Sequence, residues 1–145
     1  MTARPFGQDT IVVGGAAAPV SAALVRSAVG HVLQCEGTAA HVAVTFLGKD
    51  TMRRLNHQHL DHNWPTDVIS FALPQPDGGV AGDIYICRYV AAREARRRGI
   101  AVREELVRLV VHGTLHVIGH EHDEGEARTR SRMWSLQERY VRALG

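Results

Sequence analysis

The segment from His112 to Asp123, HGTLHVIGHEHD, is the strongest constraint on how this chain folds. It continues an apolar segment that begins near Val102, which predicts a largely buried helix over residues 102–118. His112 and His116 are four residues apart and therefore lie one turn apart on one face of that helix. A buried imidazole without a partner carries a desolvation cost of about 1–3 kcal/mol, which metal coordination removes. The pair predicts a metal site; a surface histidine pair is the alternative.

A third ligand is predicted after the helix. Gly119 is the residue type that most easily ends a helix in a left-handed turn, and His122 follows that turn. Zinc binds imidazole nitrogens at about 2.0–2.1 Å, and three protein ligands leave a fourth position open, as in catalytic zinc sites. We therefore predict one Zn²⁺ per chain, bound by His112, His116 and His122, with His120 not coordinating.

The same spacing occurs in a class of zinc proteases. Their motif, H-E-x-x-H-x-x-G-x-x-H, shares the three histidines and the glycine with this chain. Its second residue is the general-base glutamate, where this chain has Gly113, and Glu121 lies beyond the predicted turn. A zincin-like hydrolase of peptide or amide bonds is therefore an alternative function that lacks its general base.

Length and composition limit the class of protein. A chain of 145 residues fits a single domain, residues 1–145, that can bury a core without cross-links. No apolar run is long enough to span a bilayer, and the N-terminus has no signal-peptide pattern. The two cysteines, Cys35 and Cys87, do not form a CxxC motif or a disulfide framework. These features predict a cytoplasmic protein with no membrane partner.

The charge distribution gives a weaker indication. A net charge of +2 provides no strong global field for nucleic acid, although sixteen of the seventeen basic residues are arginine. Arginine suits bidentate phosphate contacts, but a GC-rich genome is the simpler explanation of the bias. Arg96, Arg97 and Arg98 lie at the C-terminal end of a predicted helix, where the helix dipole favours positive charge. Phosphate contact is the functional alternative for this cluster.

The rest of the chain alternates between strand and helix patterns. Runs of β-branched and aromatic residues predict strands at 10–13, 41–47, 66–73 and 80–87. Helical spacing predicts helices at about 19–34, 50–57, 88–98 and 102–118, and a last one through Leu144. Asp123 and Glu126 resemble a capping box for that last helix, and residues 56–65 predict a polar loop. These segments predict an α/β (α+β) chain of about four strands and about five helices.

Several motifs in this order resemble one known family. LN, PTDVISF, GDIYI and HGTLHVIGHEHD, followed by M and Q, resemble the YbeY family of ribosomal RNA maturation endoribonucleases across nearly the whole chain. The histidine segment resembles that family's signature H-G-x-L-H-x-x-G-x-D-H. The resemblance implies a mixed sheet of about four strands packed with helices, zinc on His112, His116 and His122, and a cytoplasmic role. It also implies single-strand-specific cleavage in 3′-end maturation of small-subunit (16S) ribosomal RNA, and ribosome quality control, with the ribosome or small-subunit proteins as partners.

The chain departs from the family pattern at two positions. Glu121 stands where the signature has aspartate, which keeps the charge and adds a methylene. Leu60 stands in the loop position where many members have an arginine implicated in RNA handling. His62 lies nearby, and Arg53 and Arg54 are on the preceding predicted helix.

A three-histidine zinc favours phosphodiester cleavage by activating water and polarising a phosphoryl oxygen. The sequence leaves open whether the nucleophile is a zinc hydroxide or the ribose 2′-hydroxyl. His120 and Asp67 are candidates for outer-shell proton transfer or ligand orientation, with a strand-end hydrogen bond as the alternative for Asp67. A non-enzymatic ribosome assembly factor with a structural zinc is a third possible function.

Overall fold

The computed structural model describes residues 10–15, 20–121 and 131–145. Four strands and five helices occupy these residues, which confirms the α/β class and the mixed sheet. In chain order they are β1 (Thr10–Gly15), α1 (Ala22–Glu36), β2 (His41–Leu47), α2 (Lys49–Leu60), β3 (Val68–Pro74), β4 (Val80–Cys87), α3 (Arg88–Arg98), α4 (Val102–Val117) and α5 (Arg132–Leu144).

The sheet has the strand order β1-β2-β4-β3. β1, β2 and β4 run parallel, and β3 pairs with β4 as the antiparallel edge strand. Every second residue of β2 is buried, as expected for a strand with one face on the core. That face packs against α1 and α4, while α2 and α3 cover part of the opposite face through Met52, Ile69, Cys87 and Val90.

Helix α4 lies unusually close to β4, at two glycines. A Cβ atom on Gly113 would come within 2.6 Å of Ile84 Cγ2, and one on Gly82 within 2.5 Å of Val117 Cγ2. Neither position has room for a side chain. Gly113 and Val117 face the sheet, and His112 and His116 each come one position before them. Their side chains are therefore rotated by about 100° around the helix axis from the side that faces β4.

We expect Gly113→Ala to lower the free energy of unfolding by about 1–3 kcal/mol, because the added methyl group collides with the fully buried Ile84. Gly30→Ala is the matched control. Gly30 is within α1 with nothing within 4 Å of an added Cβ, so this substitution should be neutral or stabilising by up to about 1 kcal/mol. Urea unfolding of the two variants tests the difference, and a Gly113→Ala protein as stable as the parent would contradict this packing.

Helix α2 is where the sequence prediction was wrong. It begins at Lys49 and continues to Leu60, so residues 56–60 are helical and not loop. The polar residues there suggested a loop because most of them are on the exposed side of a surface helix. The exception is the buried Asn56, whose side-chain amide donates to the Trp64 carbonyl at 2.8 Å.

Other boundaries differ by a few residues. α1 begins at Ala22, after Ser21, whose hydroxyl accepts a hydrogen bond from the Leu24 amide as an N-cap. β3 begins at Val68, two residues later than predicted. The N-cap of α5 is Ser131, and the predicted capping box of Asp123 and Glu126 lies outside the described residues.

Candidate functional site

His112 and His116 lie together on α4, as their spacing predicted. Their ring centroids are 4.6 Å apart and their planes are inclined by 78°. Both side chains are only partly buried, whereas Val111 and Leu115 beside them are fully buried. The helix therefore presents the two imidazoles side by side at its surface.

The third predicted ligand, His122, lies outside the described residues. Within 10–15, 20–121 and 131–145, no group of three histidine, cysteine or acidic side chains is placed to hold a metal ion. The three-histidine zinc site therefore stays a prediction.

Gln137 on α5 fixes the tautomer of His112. The Gln137 side-chain NH₂ donates to Glu138 Oε2 at 3.0 Å, so its carbonyl Oε1 is the atom that faces His112 Nδ1, at 2.7 Å. An oxygen only accepts here, and therefore the neutral His112 ring carries its proton on Nδ1 and its lone pair on Nε2. Metal-binding histidines typically have this kind of partner on the second nitrogen, so the donor set fits zinc.

Behind Gln137 lies a charged cluster centred on Arg108, whose side chain is 8% exposed. Its guanidinium donates to both carboxylate oxygens of Glu138, at 2.8 and 3.0 Å, and also to Glu104 and Glu105. Burial raises the pKa of the Glu138 carboxyl, but hydrogen bonds from Arg108 and Gln137 outweigh it and the net shift is downward. Burial raises the pKa of Glu105, against the lowering effect of Arg108. The cluster anchors α5 against α4 behind the histidine pair.

A small cavity of about 60 Å³ opens beside His112. Asp67 lines it, so the structure brings this candidate catalytic residue to the same cavity as a predicted metal ligand. Asp67 Oδ1 also accepts a hydrogen bond from the Val68 amide at 2.7 Å, which is the strand-end bond considered as the alternative. Arg98, at the end of α3, also lines the cavity, and its guanidinium pairs with the Glu105 carboxylate at 3.1 Å.

His120, the other candidate, is bound to α1. Its Nε2 lies 2.7 Å from Glu36 Oε1, and Glu36 Oε2 accepts a hydrogen bond from the Tyr140 hydroxyl. Gly119 adopts the predicted left-handed conformation, φ 107°, which lets the His120 amide donate to the Leu115 carbonyl at 2.9 Å. The turn before His122 is therefore fixed to both α1 and α5.

We expect Tyr140→Phe to lower the free energy of unfolding by about 1.5–3 kcal/mol near neutral pH, because it removes a hydrogen bond to a charged carboxylate. Burial raises the pKa of Glu36, but its bonds to Tyr140 and His120 bring the pKa below the usual 4.5. The stabilisation is thus complete above pH 4.5 and is lost as the pH falls through the lowered pKa.

Urea unfolding of parent and variant between pH 3 and pH 7 measures this difference. The exposed Tyr89 provides the control, and Tyr89→Phe should leave stability unchanged at every pH. A Tyr140→Phe deficit that stays constant down to pH 3 would contradict the assignment to ionised Glu36.

Sequence reasoning missed Gln137, Glu138, Glu36 and Tyr140 as parts of this site. One signal was available for Gln137. It lies four residues after the buried Met133 and three before the buried Tyr140, so it is on the apolar face of α5 and needs a polar partner.

Known proteins of similar sequence indicate the family of this chain. A sequence model of the family described as Endoribonuclease YbeY matches residues 17–145. The chain belongs to the YbeY endoribonuclease family. Endoribonuclease YbeY of Chlorobium luteolum is 39% identical over 124 residues, covering 84% of this chain and 88% of that protein. Endoribonuclease YbeY of Salinibacter ruber is 32% identical over 134 residues, covering 86% and 84%.

A solved structure has a similar fold. The solution structure of a Thermotoga maritima protein superimposes with a TM-score of 0.68 and 28% sequence identity, over 93% of this chain and 89% of that one. Membership of the YbeY family confirms the resemblance found in the sequence and the class of enzyme, an endoribonuclease. Among the described residues, no helix has the length and apolar character needed to cross a membrane.

Proposed function

We propose that this YbeY protein is a zinc-dependent, single-strand-specific endoribonuclease of the cytoplasm, formed by one domain over residues 1–145. Its substrate is small-subunit (16S) ribosomal RNA, matured at the 3′ end, and it takes part in ribosome quality control with the ribosome or small-subunit proteins as partners. One observation carries the proposal. Two imidazoles lie one turn apart on α4, and Gln137 holds the lone pair of one of them on Nε2.

The residues that would hold zinc are His112, His116 and His122. Neutral imidazole nitrogens are ordinary zinc ligands, and a set of three leaves one coordination position for substrate. When bound there, zinc supplies Lewis acidity next to the scissile phosphodiester. Gln137 keeps His112 in the tautomer that such binding requires.

Other residues around the cavity bind and orient the RNA. Asp67 is held in place through Oδ1 and is our candidate for taking or giving a proton at the reacting ribose or water. Arg98 is the cavity-lining member of the arginine cluster, and we assign it to a backbone phosphate. Arg97 pairs with Glu94 at 2.6 Å and Arg98 pairs with Glu105 at 3.1 Å, so it is the position of Arg98 at the cavity that distinguishes the two.

The packing of α4 argues against the peptidase alternative. The position of the zincin general base is Gly113, and any side chain there is directed at Ile84 on β4. A glutamate would be driven into the core, where its carboxylate would be buried without a partner. Peptide hydrolysis should therefore be absent even with zinc bound.

The test is a side-by-side assay of labelled single-stranded RNA, duplex RNA and casein, with chelator and after zinc is restored. We expect cleavage of single-stranded RNA only, lost with chelator and recovered with zinc. Duplex RNA resists because its backbone is held in A-form geometry. Zinc-dependent cleavage of casein, without cleavage of either RNA, would overturn the proposal.

Gln137→Ala should weaken zinc binding by about 10–100-fold, the usual effect of removing the hydrogen-bond partner of a metal-binding histidine. Competition with a chromophoric chelator measures the affinity. Gln34→Ala, which alters an exposed glutamine on α1, is the control and should bind zinc like the parent. Equal affinities in the two variants would mean that His112 is not a ligand or that Gln137 does not orient it.

A further inference from the structure

An exposed aromatic pair lies in the loop between α2 and β3. The Trp64 side chain is among the few large apolar groups left in solvent, with 55% of its surface exposed. The His62 ring stacks on it with centroids 4.6 Å apart and planes inclined by 9°. One face of the indole is therefore covered by imidazole, and over half of the residue's surface faces solvent.

Hydrogen bonds from α2 fix this loop. The buried Asn56 donates to the Trp64 carbonyl at 2.8 Å, and Arg53 donates to the Asn63 side chain at 3.1 Å. Asp61 adopts a left-handed conformation, φ 57°, and its amide donates back to the His57 carbonyl. The backbone that carries the indole is thus fixed although the ring does not pack in the core, as expected of a contact surface built in advance.

The aromatic pair lies close to the cavity described above. Trp64 precedes Asp67 by three residues, so their Cα atoms are separated by no more than about 11 Å. Asp67 is fixed to the end of β4, since its carbonyl accepts a hydrogen bond from the Cys87 amide at 2.8 Å. A strand of RNA with its scissile phosphate beside His112 and Asp67 therefore has neighbouring nucleotides within reach of Trp64.

The chemistry of the His62–Trp64 pair indicates which ligand it would bind. A flat aromatic face in solvent can stack with any unpaired base, while nearby cations hold the phosphate backbone of the RNA. Arg53 and Arg54, in the middle of α2, supply that charge on the adjoining helix. Bases in a duplex are already stacked on both sides and offer no free face to the indole.

We propose that Trp64, backed by His62, is a stacking platform for an unpaired RNA base next to the cleavage site. This inference rests on the proposed function and adds to it a residue that selects single-stranded substrate. Trp64 contributes to binding, and the platform should therefore affect KM more than kcat.

The experiment measures RNA binding in the presence of chelator, so that it does not depend on cleavage. Trp64→Ala should weaken binding of a single-stranded oligonucleotide by about 5–150-fold, the range for loss of one stacked base, and should leave duplex binding unchanged. Trp64→Phe keeps an aromatic face and should recover most of the affinity. Leu73→Ala, which removes another exposed apolar side chain, should bind like the parent.

A second measurement uses fluorescence. Trp64 and Trp134 are the two tryptophans of the chain, so Trp134→Phe leaves Trp64 as the sole reporter. Stacking of a base on the indole should quench its emission during titration with single-stranded oligonucleotide, and an abasic oligonucleotide should quench less.

The two proposals fail in different ways. Zinc-dependent RNA cleavage together with parent-like binding by Trp64→Ala would overturn the platform and leave the nuclease. RNA binding that depends on Trp64, without any cleavage in the presence of zinc, would support the platform and overturn the nuclease.

Discussion

Replacing His116 by alanine is expected to lower the rate of cleavage of single-stranded RNA at least about 100-fold and to release zinc from the protein. Removing the hydrogen-bond partner of a metal ligand typically reduces activity or metal affinity about 10–100-fold. Removing the ligand itself should have a larger effect. His116 is partly exposed and lies beside His112 on α4, so the substitution removes a proposed ligand without opening the core. The variant should fold normally, with unchanged circular dichroism.

His41→Ala is the matched control, because His41 is an exposed histidine at the start of β2. It should retain both activity and metal. Elemental analysis and single-turnover cleavage of the two variants, purified in parallel, also exclude a contaminating nuclease. Full zinc occupancy and parent-like cleavage in His116→Ala would remove this histidine from the site.

Arg108→Ala should lower the free energy of unfolding by about 3–5 kcal/mol. The guanidinium is almost completely buried beside Glu104, Glu105 and Glu138. Its removal leaves the partly buried Glu138 carboxylate without its cation and the buried Glu105 carboxylate with Arg98 alone. The Glu105 side chain is 5% exposed and loses one of its two arginine partners. The loss should also loosen Gln137, because the Glu138 carboxylate that accepts from it is held by Arg108.

Arg103→Ala tests whether the effect belongs to the cluster or to any arginine of α4. Arg103 is exposed on the same helix, and its replacement should change stability by less than about 0.5 kcal/mol. A double variant, Arg108→Met with Glu138→Gln, should recover part of the loss because the carboxylate left without its cation is gone. Equal urea midpoints for Arg108→Ala and Arg103→Ala would contradict the assigned role.

The local parts of this structure could be predicted from the sequence. The histidine helix, the left-handed Gly119 and the order of strands and helices all follow from patterns that repeat over a few residues. The surface helix α2 was predicted too short, because a polar run has the same composition in an exposed helix and in a loop.

The partners of the site could not be predicted in the same way. Gln137 lies 25 residues from His112, and Glu36 lies 84 residues from His120 and 104 from Tyr140. No period in the sequence links positions so far apart. Their meeting depends on how α1, α4 and α5 pack together, which is a property of the tertiary structure.

The close seating of α4 on β4 has a consequence for metal affinity. Rotation of α4 by one residue would move Gly113 away from Ile84 and bring a larger residue to the same position. The space between α4 and β4 there has no room for a side chain. The direction of the two imidazoles is therefore set by the core before any ion arrives. If zinc binds as proposed, the ion would meet His112 and His116 already aligned, and little of its binding energy would be spent on ordering the helix that carries them.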